Sequence, residues 1–479
     1  MSNKLTPTQE QLDIIEAFKQ TRVLKVNAVA GSGKSSTLRM LAEHNKTDSL
    51  LVAFNKAIAD EASERFPSHV KCRTINSIAY QTHGIHLKHK MNNNNYKLRY
   101  LKDIVETFNL SDYSLAEPAI SASTVAALAK DALDRYCFSS RKEISEFDLH
   151  YKDFKELAKN HKFDDKHLAA SAIRVAKALW NERVNPLSSA HCTHDTYMKL
   201  WSLSNPKLNH DIIYVDEAQD INPCVLSVLE NQHCKIIYCG DQHQSIYGWR
   251  GATNAMKSIV APTMNLSQSW RYGEAVAEVA EIVLEKYGVA VKGNPSIPSK
   301  VVKVDQNKPY TMIFRTNAAM FEEAARLVTS GKKVQVETEV DDFVRQIESV
   351  ICLKQCKKPF HDSISRFSCW SDLIDFSEES QEIKRLVSMS ERPDIYKMLA
   401  NLKKVITPKT AHKHNASIVL TTAHKSKGRE WDSVIVADDF PFGKDDALSM
   451  PEQESNLLYV ACTRAKLNLQ VPLQLYKLL

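Results

Sequence analysis

The chain has 479 residues, 43% of them hydrophobic and 25% charged, an ordinary globular composition with ample apolar content for buried cores and length for about three domains. Lys plus Arg number 63 against 57 Asp plus Glu, and the net charge of +6 is compatible with a nucleic-acid partner without establishing one. The opening MSNKLTPTQEQL lacks the apolar core of a signal peptide and no run of about 18 apolar residues exists, so no leader, spanning helix or membrane partner is expected, and the ten scattered cysteines read as reduced thiols.

Apolar residues Leu12, Ile14, Ile15 and Phe18 predict an amphipathic helix over 8–20. A strand RVLKVNAVA, a glycine-rich turn and a helix SSTLRMLAEH follow, then a strand SLLVAFN and a helix KAIADEASERF. Strands alternating with helices predict a parallel, doubly wound sheet. Residues 85–205 break that rhythm and read as a helical insertion, its Asn run at 92–95 a surface loop. Alternation resumes with DIIYVDEA and CKIIYCGD. A second α/β set begins near 266 and includes TMIFRTN at 311–317 and ASIVLTTAH at 416–424, with 321–410 as a smaller mixed insertion. Strand SVIVADD and helix SNLLYVACTRAK close the fold. Cys352, Cys356, His361 and Cys369 fit no common zinc spacing.

AVAGSGKSS, residues 28–36, lies between a predicted strand and a predicted helix. Small residues let backbone N–H groups approach a phosphate, and the helix N-terminus adds its dipole. Ala30, Gly31, Ser32, Gly33, Lys34, Ser35 and Ser36 would line the phosphates of ATP, Lys34 in a solvent-open loop reaching the β- and γ-phosphates and Ser35 holding Mg²⁺. Ala28 replaces the first glycine of the usual pattern. The apolar run Ile212–Val215 delivers Asp216, Glu217, Ala218, Gln219 and Asp220 to its C-terminal end. Polar residues can simply stop a strand. Beside a phosphate loop they have a further use: Asp216 for Mg²⁺, and Glu217 to orient or deprotonate the attacking water.

With these residues in place, the chain resembles the UvrD/Rep family of superfamily-one helicases, and within it the helicase portion of the F-box DNA helicases. The matching stretches run from Gln9 to Lys466. The resemblance implies an α/β fold of two RecA-like parallel-sheet motor lobes, each with an insertion: 1–84 with 206–265 around 85–205, and 266–320 with 411–479 around 321–410. LTPTQEQ places Gln9 where the family reads adenine. VAFNKAIADEA and CRTINSIA resemble its first DNA-contacting motifs, giving Phe54, Asn55, Thr74 and Asn76, although His is common at the last position. GDQHQSIYGWRGA is the most specific match: Gln244 would sense the γ-phosphate, and Tyr247 and Trp249 would lie under DNA bases. LSQSWRY gives Arg271 as a γ-phosphate arginine and Trp270 as the adenine cover, where Tyr or Phe is usual. TTAHKSKGREWD gives His424 on the DNA and Glu430 on the ribose, with Arg429 where Leu is common. ESNLLYVACTRAK gives Arg464 as a second arginine finger.

The resemblance implies an ATP hydrolase with Lys34, Asp216, Glu217, Gln244, Arg271 and Arg464 at its chemistry, moving 3′ to 5′ on single-stranded DNA and opening forked or tailed duplexes. A monomer is expected, in the cytoplasm of a bacterial or virus-infected cell or in a eukaryotic nucleus. A translocase that strips proteins from single strands would use the same motor. Taken singly, Phe54 and Trp249 could be core aromatics and Arg271 a surface ion pair. A decayed DNA-binding module would not keep all six chemical residues, and a small-molecule kinase has no use for DEAQD or QSIYGWRGA.

Overall fold

The computed structural model describes residues 6–91, 97–98, 100–116, 119–150, 165–246, 248, 254–365, 367, 369–377, 381–408, 416–443 and 448–479. They fall into two compact units. The first lies within Met1–Asn27, Lys34–Gln242 and Tyr247–Asn265; the second lies within Ala28–Gly33, His243–Ile246 and Leu266–Leu479.

The first unit is built on strands β1 (Val23–Ala28), β2 (Ser49–Ala53), β3 (Val70–Thr74), β4 (Ile212–Val215), β5 (Lys235–Gly240) and β6 (Thr263–Leu266). Their order is β3-β2-β4-β5-β1-β6, and the pairs β2–β3, β2–β4, β4–β5 and β1–β5 are parallel. Only the last residues of β1 and β6 group with the second unit. β2 and β4 are buried at every position, which is why both read as continuous apolar runs rather than alternating ones. Parallel strands open their C-terminal ends on one edge, so the residues after β4 and β5 emerge on the same side of the sheet. Leu50, Val52, Ile213, Val215 and Ile236 join Tyr197, Met198 and Trp201 in the core on one face. Helices Ala122–Phe138 and Asp165–Val184 close a separate core with Leu133, Tyr136, Ile173 and Leu179.

The second unit carries β7 (Lys300–Val301), β8 (Tyr310–Phe314), β9 (Val334–Val336), β10 (Ile418–Thr422), β11 (Trp431–Val436) and β12 (Ala465–Gln470). They are all parallel, in the order β7-β12-β11-β8-β10-β9. Two details depart from the sequence reading. The closing helix is Glu452–Cys462, and Ala465 and Lys466, read as its end, open β12 instead. Thr463 turns the chain between them, its hydroxyl bonded back to the Tyr459 carbonyl at 2.8 Å. β9, inside the stretch 321–410 read as an insertion, is an edge strand of the sheet. The helices Val340–Lys354 and Ile395–Leu402 share one continuous core with strand residues Val334, Ile418, Leu420 and Ile435. β6, at the end of the stretch 206–265 read as first lobe, pairs at the edge of the first sheet. Among the described residues, no helix is long and apolar enough to cross a membrane.

Candidate active site

At the C-terminal end of β4, the Asp216 carboxylate accepts from the Ser35 hydroxyl at 2.8 Å and from the Glu217 N–H at 2.9 Å. Glu217 sits in the left-handed region (φ 51°, ψ 43°), uncommon for a residue with a side chain, so the chain reverses sharply as it leaves the strand. The reversal sets the Glu217 carboxylate 3.6 Å from the Lys34 ammonium. Lys34 opens the helix Lys34–His44, and its side chain is only 11% exposed, so it is enclosed rather than solvent-open as the sequence suggested. Burial would pull its ammonium down, but Glu217, Asp241 and Asp216 hold it above its usual range. Burial, with the neighbouring Glu217 charge, pushes the Asp216 carboxyl up to about 6; Lys34 and the Ser35 hydroxyl oppose this. A divalent cation would favour the charged carboxylate, and the Ser35 hydroxyl and the Asp216 carboxylate are the side chains that would hold it. A hydroxyl and one carboxylate suit Mg²⁺, which keeps waters and phosphate oxygens as its other ligands.

The loop 28–33 is shaped for an anion. Gly31 and Gly33 have φ of 76° and 83°. A Cβ on Gly31 would meet the Arg271 Cβ and the Ser269 Oγ at 2.7 Å each, so no other residue fits that close approach. The loop is tied within its unit: Trp270 N–H donates to the Gly31 carbonyl at 2.8 Å, the Ser269 hydroxyl to the Ala30 carbonyl at 2.9 Å, and the Ala30 N–H to the Tyr459 hydroxyl at 2.8 Å. The Ser32 hydroxyl is buried and makes no hydrogen bond, a polar atom that a phosphate oxygen would satisfy. Ser36 is partly buried on the helix that follows.

In the second unit, the segment His243–Ile246 is held by its backbone. Lys427 donates to the Gln244 carbonyl at 2.7 Å and Asn456 to the Ser245 carbonyl at 3.1 Å; the His424 ring bonds the Ile246 backbone. Burial, with Arg315 and Lys427 nearby, drives His424 down to about 4, against the Ile246 bond and Glu454; its ring is neutral at physiological pH. The Gln244 side chain meets Arg464 at 3.5 Å, the long limit for a hydrogen bond. Arg464 is 1% exposed and spends its other donors on the Val460 and Arg429 carbonyls and the Thr463 hydroxyl. Arg271 pairs with Glu430 at 2.9 Å and reaches the Thr463 carbonyl. Arg271 thus pairs with a residue that is itself a candidate, and its side chain is only 18% exposed. Trp270 is 51% exposed.

The DNA-contact candidates of the first unit also have local duties. Asn55 caps the helix Lys56–Arg65, accepting from the Ile58 N–H, and Thr74 caps Ile75–Ala79. Phe54 is 43% exposed and is not a core aromatic. Phe54, Asn55 and Asn76 line a cleft of about 630 Å³ that Asp216 and Glu217 also line, with His194 on its wall. Gln9 is exposed and bonded to Asp13, whereas Gln11 is buried, closes a capping box with Thr8 and donates to the Thr37 hydroxyl. Tyr247 and Trp249 lie outside the described residues. Sequence reasoning gave no role to Gln219, Ser269, Tyr459, Lys427 or Asn456. Tyr459 and Asn456 stand in the quoted ESNLLYVACTRAK, but their partners lie hundreds of residues away in the chain.

The first unit thus gathers Lys34, Ser35, Asp216 and Glu217, and the second gathers Gln244, Arg271, Glu430 and Arg464. A model of the UvrD/REP helicase N-terminal domain matches residues 7–259, and a UvrD-like helicase C-terminal domain matches residues 417–471. The chain is 30% identical to the F-box DNA helicase protein 1 of Schizosaccharomyces pombe, over 96% of this chain and 56% of that protein. It is 28% identical to the F-box DNA helicase 1 of Gallus gallus, over 97% of this chain and 48% of that protein. The chain therefore spans about half the length of these relatives.

Proposed function

The chain belongs to the UvrD/Rep helicase family, and we propose that it is an ATP-dependent DNA helicase that moves 3′ to 5′ along single-stranded DNA and separates duplexes. The observation that carries this reading is the end of β4. There Asp216 meets the Ser35 hydroxyl at 2.8 Å and Glu217 lies 3.6 Å from Lys34, beside a cleft also lined by Phe54, Asn55 and Asn76. Both curated relatives are named DNA helicases, which supports the same substrate class.

ATP is the substrate. Lys34 neutralises its β- and γ-phosphates, and the loop Ala30–Ser36 supplies N–H groups and the Ser32 hydroxyl. Ser35 and Asp216 would hold Mg²⁺, which when bound would offset phosphate charge. Glu217 orients or deprotonates the attacking water. Gln244 senses the γ-phosphate, while Arg271 and Arg464 stabilise the charge that develops on it. Trp270, Glu430 and Gln9 position the nucleoside. Phe54, Asn55, Thr74, Asn76, Tyr247, Trp249 and His424 form the DNA track, with 85–205 and 321–410 as accessory insertions. Stacking on exposed aromatics is indifferent to sequence, as a translocating motor requires. The stretch QSIYGWRGA supports the 3′ to 5′ branch. A motor that strips proteins from single strands, with little unwinding, is the second reading.

Strand displacement on duplexes with a 3′ or a 5′ single-stranded tail tests the proposal. It predicts ATP-dependent displacement from the 3′-tailed substrate and none with Glu217→Gln. Preference for the 5′ tail would overturn the polarity. Translocation with no displacement would favour the stripping motor.

A further inference from the structure

We infer that Gln219 is the positioning residue for Glu217: its side-chain amide holds the carboxylate that acts on the attacking water and ties it to the end of β5. The inference rests on the proposal that Glu217 is the general base.

Gln219 is fully buried in the short turn Ala218–Asp220 that follows the left-handed Glu217. Its amide nitrogen donates to the Glu217 Oε2 at 2.5 Å, and its amide oxygen accepts the Asp241 N–H at 3.0 Å. One side chain thus bridges the carboxylate at the end of β4 and the first backbone donor after β5. The approach is close enough to dictate the sequence of the neighbouring strand. A Cβ on Gly240 would lie 2.5 Å from the Gln219 oxygen and 3.1 Å from the backbone nitrogens of Ala218 and Gln219. Gly240 is what lets the amide sit there.

The other Glu217 oxygen faces Lys34 at 3.6 Å. Lys34 cannot be the lasting anchor, because in the proposed reaction its charge is committed to the phosphates. Asp216 also lies beside Glu217 and, when charged, repels its carboxylate. Gln219 is neutral, buried and independent of the nucleotide, so it can hold one Glu217 oxygen while the other turns to the water. Small misplacement of a base from its proton costs large factors in rate. Gln219 is the middle residue of a bridge from Asp241 to Glu217, so a shift at the end of β5 is passed to Glu217 through a single amide.

Two substitutions separate this role from plain scaffolding. Gln219→Glu keeps the length and the acceptor for the Asp241 N–H but replaces the donor to Glu217 with a carboxylate. Gln219→Met keeps the length alone. Both should lower kcat for ATP by at least about tenfold while KM for MgATP stays within about twofold of wild type, the split expected when a base is misplaced and binding is not. In a Glu217→Gln background, where hydrolysis is already lost, Gln219→Glu should leave the affinity for MgATP within about twofold, because the two residues act as one unit on the water and not on binding. Wild-type kcat in Gln219→Glu, or weakened MgATP binding in the double variant, would overturn the inference. Should Gln219→Met fail to fold, the isosteric Gln219→Glu decides alone. Undiminished hydrolysis by Glu217→Gln would instead overturn the assignment of the base itself.

Discussion

His424 shows how neighbours set the chemistry of one side chain. Its ring is partly buried beside Arg315 and Lys427, and these lower it to about 4, while the Ile246 backbone and Glu454 favour the charged form. A neutral ring serves the proposed DNA track as a hydrogen-bonding group, not as a phosphate-neutralising charge. The folded value lies below the unfolded value near 6.5, so between pH 6.5 and 4 the unfolded chain binds more protons. The stability this residue contributes is therefore present above pH 6.5 and is lost as pH falls towards 4. Asp216, raised to about 6, works in the opposite sense across part of that window, so the comparison must be with a variant. The denaturant midpoint of wild type should fall more between pH 7 and 5 than that of His424→Gln. Parallel curves would mean that His424 is not held neutral by the fold. Lys34, Ser35, Asp216 and Glu217 were legible at this scale because their spacing along the chain carries their chemistry. Gln219 stood in the same quoted run without a role, since its second partner, Asp241, is 22 residues away and only the pairing of β4 with β5 brings it close.

The segment His243–Ile246 is the element where backbone, not side chain, is the thing held. Its carbonyls at 244, 245 and 246 are taken by Lys427, Asn456 and His424. Asn456 is 2% exposed, and its own amide oxygen has no hydrogen-bond partner, so the side chain is retained for its donor. Asn456→Ala leaves the Ser245 carbonyl buried without that donor, a penalty of about 1–3 kcal/mol. Hydrogen exchange at amides 243–246 should quicken accordingly, while exchange in β2 and β4 stays at wild-type rates. Unchanged protection at 243–246 would show that Asn456 does not hold the segment. The sequence located the strands with apolar runs to within a residue or two, as in Ile212–Val215 and Lys235–Gly240. It missed β12 because ACTRAKLNLQ continues the polar-apolar mixture of the preceding helix, and the break comes from the Thr463 turn. It missed β9 because Val334–Val336 is too short for alternation to register.

At the scale of the molecule, strand-helix alternation foretold two parallel sheets but not their strand orders. Nothing in the residues of β5 says that it lies between β4 and β1, yet its place beside β4 is what brings the Asp241 N–H to Gln219. The second core was less legible still: helices read as an insertion share one apolar interior with the sheet, Phe343, Ile347 and Leu399 falling in the same cluster as strand residues Val334, Ile418, Leu420 and Ile435. The central claim is that this arrangement is a motor driven by ATP and governed by DNA. Steady-state ATP hydrolysis by the purified chain, measured as single-stranded DNA is titrated in, tests it most directly. The account predicts a low basal rate that rises to saturation with single-stranded DNA and vanishes in Glu217→Gln. A rate indifferent to single-stranded DNA, or one that survives Glu217→Gln, would contradict it.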